Sequence, residues 1–241
     1  MKYAICLRGI SYRESHQHNN GIPPFHIDFN DNIENFKHYF INALKEKGHD
    51  VDLYFSTYSS IHLVDYYVAL QPKRIKIRTF VDVPVGTVSS VYNGVLDSLQ
   101  MLIDSNIHYD YIIITRFDIL WLIDMSTLFL APNAISIPSP GDDNFIALSG
   151  DLLSDLYYHY QWLRSSNMLN HKYSITFFEK GHRVHLVYKV EPKRLFFILT
   201  RDIYTDKTHP YYICDYKDLF NEQHPRYIRP AEPNKEYVPL C

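Results

Sequence analysis

The sequence predicts an α/β fold: a single Rossmann-like domain with a mostly parallel central sheet flanked by helices. Two observations lead to this prediction. Runs of β-forming residues alternate along the chain with segments whose apolar residues recur at helical spacing. With 241 residues, 46% of them hydrophobic and 21% charged, the chain is long enough for one sizeable core.

The individual elements follow from the same patterns, in chain order. Seven segments are predicted to be strands because β-forming residues dominate them: residues 2–7, 51–57, 74–83, 111–115, 133–137, 184–188 and 195–199. Three segments are predicted to be helices: residues 33–47, 89–105 and 152–163. The polar, His-rich segment 11–30 is predicted to be a loop, and the tail from Thr205 to wrap the surface.

Two of the helical segments carry a clear apolar face. Segment 33–47 places five apolar residues on one face: Ile33, Phe36, Phe40, Ala43 and Leu44. Segment 89–105 does the same with four: Val91, Val95, Leu99 and Leu102. Asp31 is suited to cap the first of these helices and Gly48 to end it. We expect both faces to pack on the sheet.

Charge and cysteine content exclude several classes of protein. The net charge of −3 argues against a nucleic-acid partner bound through a basic face. The three cysteines, without CxxC spacing, indicate neither a disulfide framework nor a zinc site, which favours a reducing compartment. No segment approaches about 18 consecutive apolar residues, so no membrane span is expected. A cytoplasmic protein is therefore the expectation.

Polar residues stand at the carboxyl ends of three predicted strands, where ligands bind in open parallel sheets. They are Arg8 with Gly9, Ser56 with Thr57, and the run from Thr115 to Asp118. Gly9 permits close approach of a ligand to the backbone, and Arg8 offers a fork of donors. Arg116 and Asp118 project to the same side of an extended chain. The guanidinium suits phosphate oxygens and the carboxylate suits Mg²⁺ or Mn²⁺, while an internal salt bridge between them is the alternative.

A second candidate site is the turn Gly141-Asp142-Asp143-Asn144, which carries two adjacent carboxylates. One of them could act as a general base on a hydroxyl group or ligate a metal. The alternative is a solvated turn that caps the following segment. The sequence contains no GxGxxG and no P-loop, so dinucleotide binding and phosphoryl transfer from ATP have no support from motifs.

Four segments together resemble a group of small polysaccharide glycosyltransferases. ICLRG resembles the first strand of that group and its polar end, and DVDLYFSTYS resembles the second strand. YDYIIITRFDIL is similar to its signature Tyr-Asp-(apolar)-Arg-x-Asp-Leu. NFIALSGDLLSDLYYHY resembles the later segment that leads into a helix. The four segments occur in the expected order and cover roughly the first two thirds of the chain.

The resemblance implies a GT-A-like fold and the transfer of a sugar from a nucleoside diphosphate, with UDP expected, to a hydroxyl of a glycan or glycoprotein. It implies that Arg8, Gly9 and Thr57 bind the donor. Asp118 takes the place of the second carboxylate of a DxD motif, which holds Mn²⁺ or Mg²⁺ against the diphosphate. Arg116 stands in place of the first carboxylate of that motif.

This departure leaves two mechanisms open. Either Asp118 holds the metal with one carboxylate, or transfer is independent of metal and Arg116 stabilises the leaving diphosphate. Asp143 and Asp142 are the candidates for the catalytic base at the acceptor, and the sequence does not decide between inversion and retention.

The resemblance also divides the single domain, residues 1–241, into a nucleotide-binding half (1–130) and an acceptor half with a C-terminal tail (131–241). The Asn- and Tyr-rich composition is similar to that of the capsid-decorating glycosyltransferases of large DNA viruses, for which the compartment is the host cytoplasm. Two alternatives are a non-catalytic nucleotide- or sugar-binding protein and a structural protein in which Arg116 pairs with Asp118. The lack of a phosphate-cradling loop after the first strand argues against a sulfotransferase.

Overall fold

A seven-stranded sheet with helices on both faces forms the centre of the structure. The computed structural model describes residues 1–9, 12–13, 27–28, 30–60, 62–78, 88–117, 119–121, 124–128, 130, 132–137, 145–165, 183–186 and 193–194. The strands are β1 Lys2–Gly9, β2 Tyr12–Arg13, β3 Ile27–Asp28, β4 Asp50–Tyr58, β5 Arg74–Arg78, β6 Tyr111–Arg116, β7 Ile119–Leu120, β8 Ala134–Ile137, β9 Phe145–Ser149, β10 Arg183–Leu186 and β11 Lys193–Arg194. The helices are α1 (30–46, with a π-helical stretch Lys37–Asn42), α2 Leu63–Leu70, α3 Val88–Ser105 and α4 Leu153–Ser165.

The order of strands across the central sheet is β5–β4–β1–β6–β9–β8–β10. Strand β9 runs antiparallel to both of its neighbours, and the other pairs in this sheet are parallel. The half from β5 to β6 has the strand order of a doubly wound nucleotide-binding sheet. The predicted fold class is therefore confirmed as an α/β fold with a mostly parallel central sheet flanked by helices.

Strand β1 lies in the middle of the sheet and is apolar on both faces because helices cover both. Ile5 and Leu7 belong to the core shared with α1 and α2, and Ala4 and Cys6 to the core shared with α3 and α4. All four side chains are at most 2% exposed. Burial raises the pKa of the Cys6 thiol, against a hydrogen bond with Ser98 that lowers it.

The apolar faces predicted for the two long helices are confirmed. In α1 the five predicted residues are all buried, and in α3 Val95, Leu99 and Leu102 are buried. The side chain of Val91 lies outside the part of the chain that is described. Within the described residues, no helix is both long and apolar enough to cross a membrane.

Helix α2 and strand β9 are the main elements that the sequence patterns miss. In α2 the apolar residues Val64, Tyr67 and Val68 are between 51% and 70% exposed, so apolar residues do not mark one face. In β9, FIALS is buried at every position and shows no alternation. The loop predicted for 11–30 is wrong at β2 and β3, which pair antiparallel.

The other predicted boundaries shift by a few residues. Strand β5 is described to Arg78, whereas residues 79–83 of the predicted strand lie outside the described chain. The predicted strand 195–199 and the tail from Thr205 lie outside it as well. Helix α4 begins at Leu153, after a short 3₁₀ turn, and extends to Ser165.

Two chain segments pass very close to each other after β9. The Gly150 N–H donates to the carbonyl oxygen of Asp110 at 3.0 Å. A Cβ atom at Gly150 would lie 1.7 Å from the carbonyl oxygen of Tyr109, so no side chain fits here. The glycine of the NFIALSGDLL segment therefore has a structural role.

A cluster of charged and hydroxyl groups closes the amino edge of the sheet around Asp52. Its carboxylate lies 2.7 Å from Lys73 Nζ and 3.6 Å from Lys2 Nζ, and accepts a hydrogen bond from Tyr109 Oη at 2.9 Å. Burial acts to raise the pKa of Asp52, but the bonds from Lys73 and Tyr109 and the charges of both lysines outweigh it, and the pKa is lowered. Burial, with the bonds to Tyr54 and Asp52, raises the pKa of Tyr109.

Candidate functional site

The strand order reverses between β1 and β6. From β1 the chain moves outward to β4 and β5, and then crosses back to β6 on the other side of β1. In open α/β sheets this switch point, at the carboxyl ends of the strands, is where ligands bind. Arg8 near the end of β1 and Arg116 at the end of β6 are register partners at this point.

Arg8 is buried against helix α3 and is only 2% exposed. A Cβ atom at Gly94 of α3 would lie 3.5 Å from Arg8 Cδ and 3.6 Å from its Cβ, so the helix backbone packs on the stem of the arginine. Strand alternation puts Arg8 on the face of Cys6, which also lies under α3. The helix therefore restricts where the Arg8 guanidinium can lie.

Arg116 is half-buried and lies directly beside Arg8 across the β1–β6 ladder. Neighbouring strands are about 4.8 Å apart, and register partners in a parallel pair present their side chains to the same face. The backbones of Arg8 and Arg116 are register partners, and each side chain already interacts with another group of the protein. Each also has the planar fork of donors that matches phosphate oxygens. This edge of the sheet therefore carries two arginines with the donor geometry that phosphate oxygens require.

Gly9 ends β1 in a backbone conformation that disfavours side chains. Its φ is +95°, and a Cβ atom there would meet no atom within 4 Å, so the restriction is conformational rather than steric. Thr57 Oγ1 donates to the Gly9 carbonyl oxygen at 2.9 Å. Thr57 is 1% exposed, and its hydrogen bond fixes the backbone at the end of β1. Its predicted contact with a donor stays a prediction.

An ion pair that the sequence patterns did not reveal lies on the other side of Arg8. Arg78 Nε and Nη2 donate to the two oxygens of Asp97 at 2.5 and 2.6 Å, a bidentate pair that joins β5 to α3. Ser56, the register partner of Arg8 on β4, has its Oγ 3.5 Å from Asp97 Oδ2. The Asp97 carboxylate therefore lies beside the row of strand ends. In the sequence, Asp97 is only one of two charged residues within the predicted helix 89–105.

A small cavity lies below these strand ends on the opposite face of the sheet. Residues of β1, α1, α2 and the end of β6 line it: Leu7, Ile33, Phe36, Tyr66, Leu70, Arg116 and Phe117. Its volume of about 10 Å³ is close to that needed by one water molecule. At this volume it is too small for a nucleotide.

The remaining predicted site residues, Asp118, Asp142 and Asp143, lie outside the described residues. Their roles, and the internal pair between Arg116 and Asp118, stay predictions. Within the described ranges, no group of three or more His, Cys, Asp or Glu side chains could hold a metal ion. The two arginines described at the β1–β6 switch point have the planar donor geometry that matches phosphate oxygens.

Comparison with solved structures finds transferases of similar fold at low identity. A mutant of Drosophila β1,4-galactosyltransferase 7, in complex with manganese, UDP-Gal and xylobiose, is 11% identical, with a TM-score of 0.43 over 92% of this chain and 79% of that one. A second structure of that enzyme, with xylobiose, is 11% identical with a TM-score of 0.41 over 90% and 78%. A nucleotidyl transferase from Methanothermobacter is 16% identical, with a TM-score of 0.41 over 85% and 93%.

Likenesses at this level do not show the activity of this chain. No protein-family model and no curated protein matches the sequence.

Proposed function

We propose that this protein is a glycosyltransferase that moves a sugar from a nucleoside diphosphate to a hydroxyl group of an acceptor. The observation that carries this proposal is the register pairing of Arg8 with Arg116 at the switch point of the sheet. That position is where a doubly wound sheet binds its ligand, and the two side chains are those that match phosphate oxygens best. The four glycosyltransferase-like segments of the sequence, two of which contain these arginines, support the same proposal.

In this proposal the diphosphate of the donor lies across the ends of β1 and β6. Arg8 and Arg116 donate to its oxygens, and Gly9 lets the backbone come close because it has no side chain. Thr57 acts through Gly9, whose carbonyl oxygen it holds. Asp97, fixed by Arg78, limits how far the positive charge of this edge extends toward β5.

The chemistry of the transfer explains why positively charged side chains are needed at the ends of β1 and β6. Transfer breaks the bond between the sugar C1 and the diphosphate oxygen and forms a bond between C1 and the acceptor oxygen. Negative charge grows on the departing diphosphate, and donors already fixed in place stabilise it in the transition state. In an inverting reaction the acceptor proton passes to a carboxylate, for which we propose Asp142 or Asp143. A retaining reaction needs no strong base.

The finer assignments rest on the sequence resemblance. They are UDP as the carrier, a glycan or glycoprotein as the acceptor, and a role in capsid glycans of the viral type. Mn²⁺ or Mg²⁺ at Asp118 belongs with them. When bound, such an ion would neutralise diphosphate charge, with diphosphate oxygens and water as its other ligands.

A thermal-shift panel tests whether the protein binds nucleotides. Wild type, Asp118→Asn and Arg116→Gln are each melted with UDP, GDP, CMP and dTDP, with and without Mn²⁺. A ligand at about 100 times its dissociation constant adds about 2.7 kcal/mol to the free energy of unfolding. Arg74→Gln is the matched control, because this exposed arginine bonds to the carbonyl oxygen of Asp104, away from the strand ends.

The panel separates the alternatives. Stabilisation that needs Mn²⁺ and is lost in Asp118→Asn supports the metal-assisted reaction, whereas stabilisation without metal that is lost in Arg116→Gln supports the arginine-assisted one. Binding of nucleotide sugars without release of nucleoside diphosphate in the presence of acceptors would indicate the non-catalytic alternative. No shift with any nucleotide or nucleotide sugar would refute the proposal.

A further inference from the structure

Asn35 of helix α1 is a buried polar residue whose side chain binds a distant backbone. It is 4% exposed. Its Nδ2 donates to the carbonyl oxygen of Trp121 at 2.9 Å, and its Oδ1 accepts from the Trp121 N–H at 2.8 Å. The two residues are 86 positions apart in the chain. The amide therefore satisfies both backbone groups of Trp121, as a neighbouring strand would.

This pair of bonds depends on the chemistry of a carboxamide at this length. Asn presents one donor and one acceptor side by side. Asp would keep the acceptor but lose the donor, and Ala would lose both. Because the site is buried, each lost partner would leave a backbone group of Trp121 unsatisfied away from water.

Trp121 ends the segment that leaves the candidate site. The beginning of this segment is fixed at Phe117, whose N–H donates to the Arg8 carbonyl oxygen at 3.3 Å. The Phe117 ring also packs edge-on against Phe55, with centroids 5.0 Å apart. Asn35 holds the other end. The predicted site residue Asp118 lies between these two fixed points in the chain.

The Trp121 ring extends the same anchor to the second candidate segment. It is 1% exposed and packs edge-on against Phe40, with centroids 4.4 Å apart, and against Phe145 at 5.7 Å. Phe40 belongs to the π-helical stretch of α1, a local widening of the helix that often occurs near functional sites. Phe145 begins β9 and follows the predicted site residue Asp143 by two positions in the sequence.

We propose that Asn35 is a positioning residue of the candidate site. By fixing the backbone of Trp121 it sets the path of the chain between Arg116 and the tryptophan, and thereby the affinity of the site for the diphosphate. This inference rests on the proposed function. A purely structural role would lower stability when Asn35 is changed but leave ligand affinity intact.

Tryptophan fluorescence gives a local readout of this anchor. The chain has two tryptophans, and Trp162 is 38% exposed whereas Trp121 is buried. In a Trp162→Phe background the emission comes from Trp121 alone. We expect Asn35→Ala to shift this emission to the red and increase its quenching by acrylamide. Asn42→Ala, an exposed position of the same helix, should change neither.

Nucleotide affinity then decides whether the anchor positions the site. UDP, or whichever nucleoside diphosphate stabilises the wild type most, is titrated into each variant at a temperature where all are folded. We expect about tenfold weaker binding for Asn35→Ala and a smaller loss for Asn35→Asp, which keeps one of the two bonds. Tyr109→Phe, at the opposite edge of the sheet, is the control for lost stability and should bind as the wild type does.

The outcomes distinguish this inference from the function on which it rests. If wild type binds and both Asn35 variants bind equally well, the positioning role is refuted and the proposed function stands. If Asn35→Ala does not fold, Asn35→Asp decides alone, and unchanged affinity in it refutes the role. If wild type binds no nucleotide or nucleotide sugar, the proposed function fails and the positioning role fails with it.

Discussion

Replacing Asp52 by asparagine should destabilise the protein in a pH-dependent manner. The carboxylate pairs with Lys73 at 2.7 Å and Lys2 at 3.6 Å, and Tyr109 Oη donates to it at 2.9 Å. The side chain of Asp52 is 13% exposed, whereas those of Lys2 and Lys73 are 36% and 44% exposed. Asparagine keeps an oxygen for the Tyr109 hydroxyl but removes the charge.

The size of the effect follows from these contacts. A hydrogen bond to a charged group contributes about 1.5–3 kcal/mol and a neutral one about 1 kcal/mol. Ion pairs with partly exposed lysines contribute about 0.2–1 kcal/mol each, because water and salt screen them. Asp52→Asn should therefore lower the free energy of unfolding by about 1–2 kcal/mol near neutral pH.

The pH dependence has a definite sign. The pKa of Asp52 is lowered in the folded protein, and an unfolded aspartate titrates near about 3.9. The stabilisation is then present above the unfolded value and is lost as the pH falls through the folded value. Wild type and Asp52→Asn should differ equally at pH 7 and pH 5, and less below about pH 4.

Urea unfolding at these pH values measures the difference. Asp50→Asn is the matched control, because Asp50 lies in the same strand and is exposed. Its substitution should change the free energy of unfolding by less than about 0.5 kcal/mol. A difference between wild type and Asp52→Asn that does not change with pH, or an equal effect of Asp50→Asn, would refute the reasoning.

Three glycine substitutions give further predictions. Gly150→Ala should cost about 3 kcal/mol or more in urea unfolding, because its Cβ would lie 1.7 Å from the Tyr109 carbonyl oxygen; a cost below about 1 kcal/mol would contradict this contact. Gly94→Ala should be tolerated within about 1 kcal/mol, since its Cβ would meet Arg8 at 3.5 Å, an ordinary contact distance; melting of the two variants side by side checks the contrast. Gly9→Ala should cost about 1–2 kcal/mol from its φ of +95° alone, and an unchanged unfolding midpoint would argue against that conformation.

The predictable part of the fold lies where local pattern and burial coincide. Strand β1 and strand β6 are continuous apolar runs with both faces covered, and α3 shows its inner face at regular spacing. Strand β9 is equally buried but short, and a short apolar run does not distinguish strand from helix. Helix α2 buries Tyr66 and Leu70 but exposes other apolar residues, so its apolar residues do not mark the buried face.

The candidate site also has a part that could be predicted from local sequence and a part that could not. The polar residues at strand ends, Arg8 and Arg116, could be predicted because parallel strands gather their carboxyl ends on one edge. Their register, and the hold of Thr57 on Gly9, depend on how β1 pairs with its neighbours. The hydrogen bonds between Asn35 and Trp121 join positions far apart in the chain, so no local sequence pattern predicts them.

The most direct test of the central claim is the affinity of Arg116→Gln for a nucleoside diphosphate. Titration calorimetry with UDP, or with the nucleotide that stabilises the wild type most, compares this variant with wild type and Arg74→Gln. Loss of charge-assisted bonds to phosphate predicts about tenfold to hundredfold weaker binding for Arg116→Gln and no change for Arg74→Gln. Equal affinity of all three proteins would contradict a diphosphate site at the ends of β1 and β6.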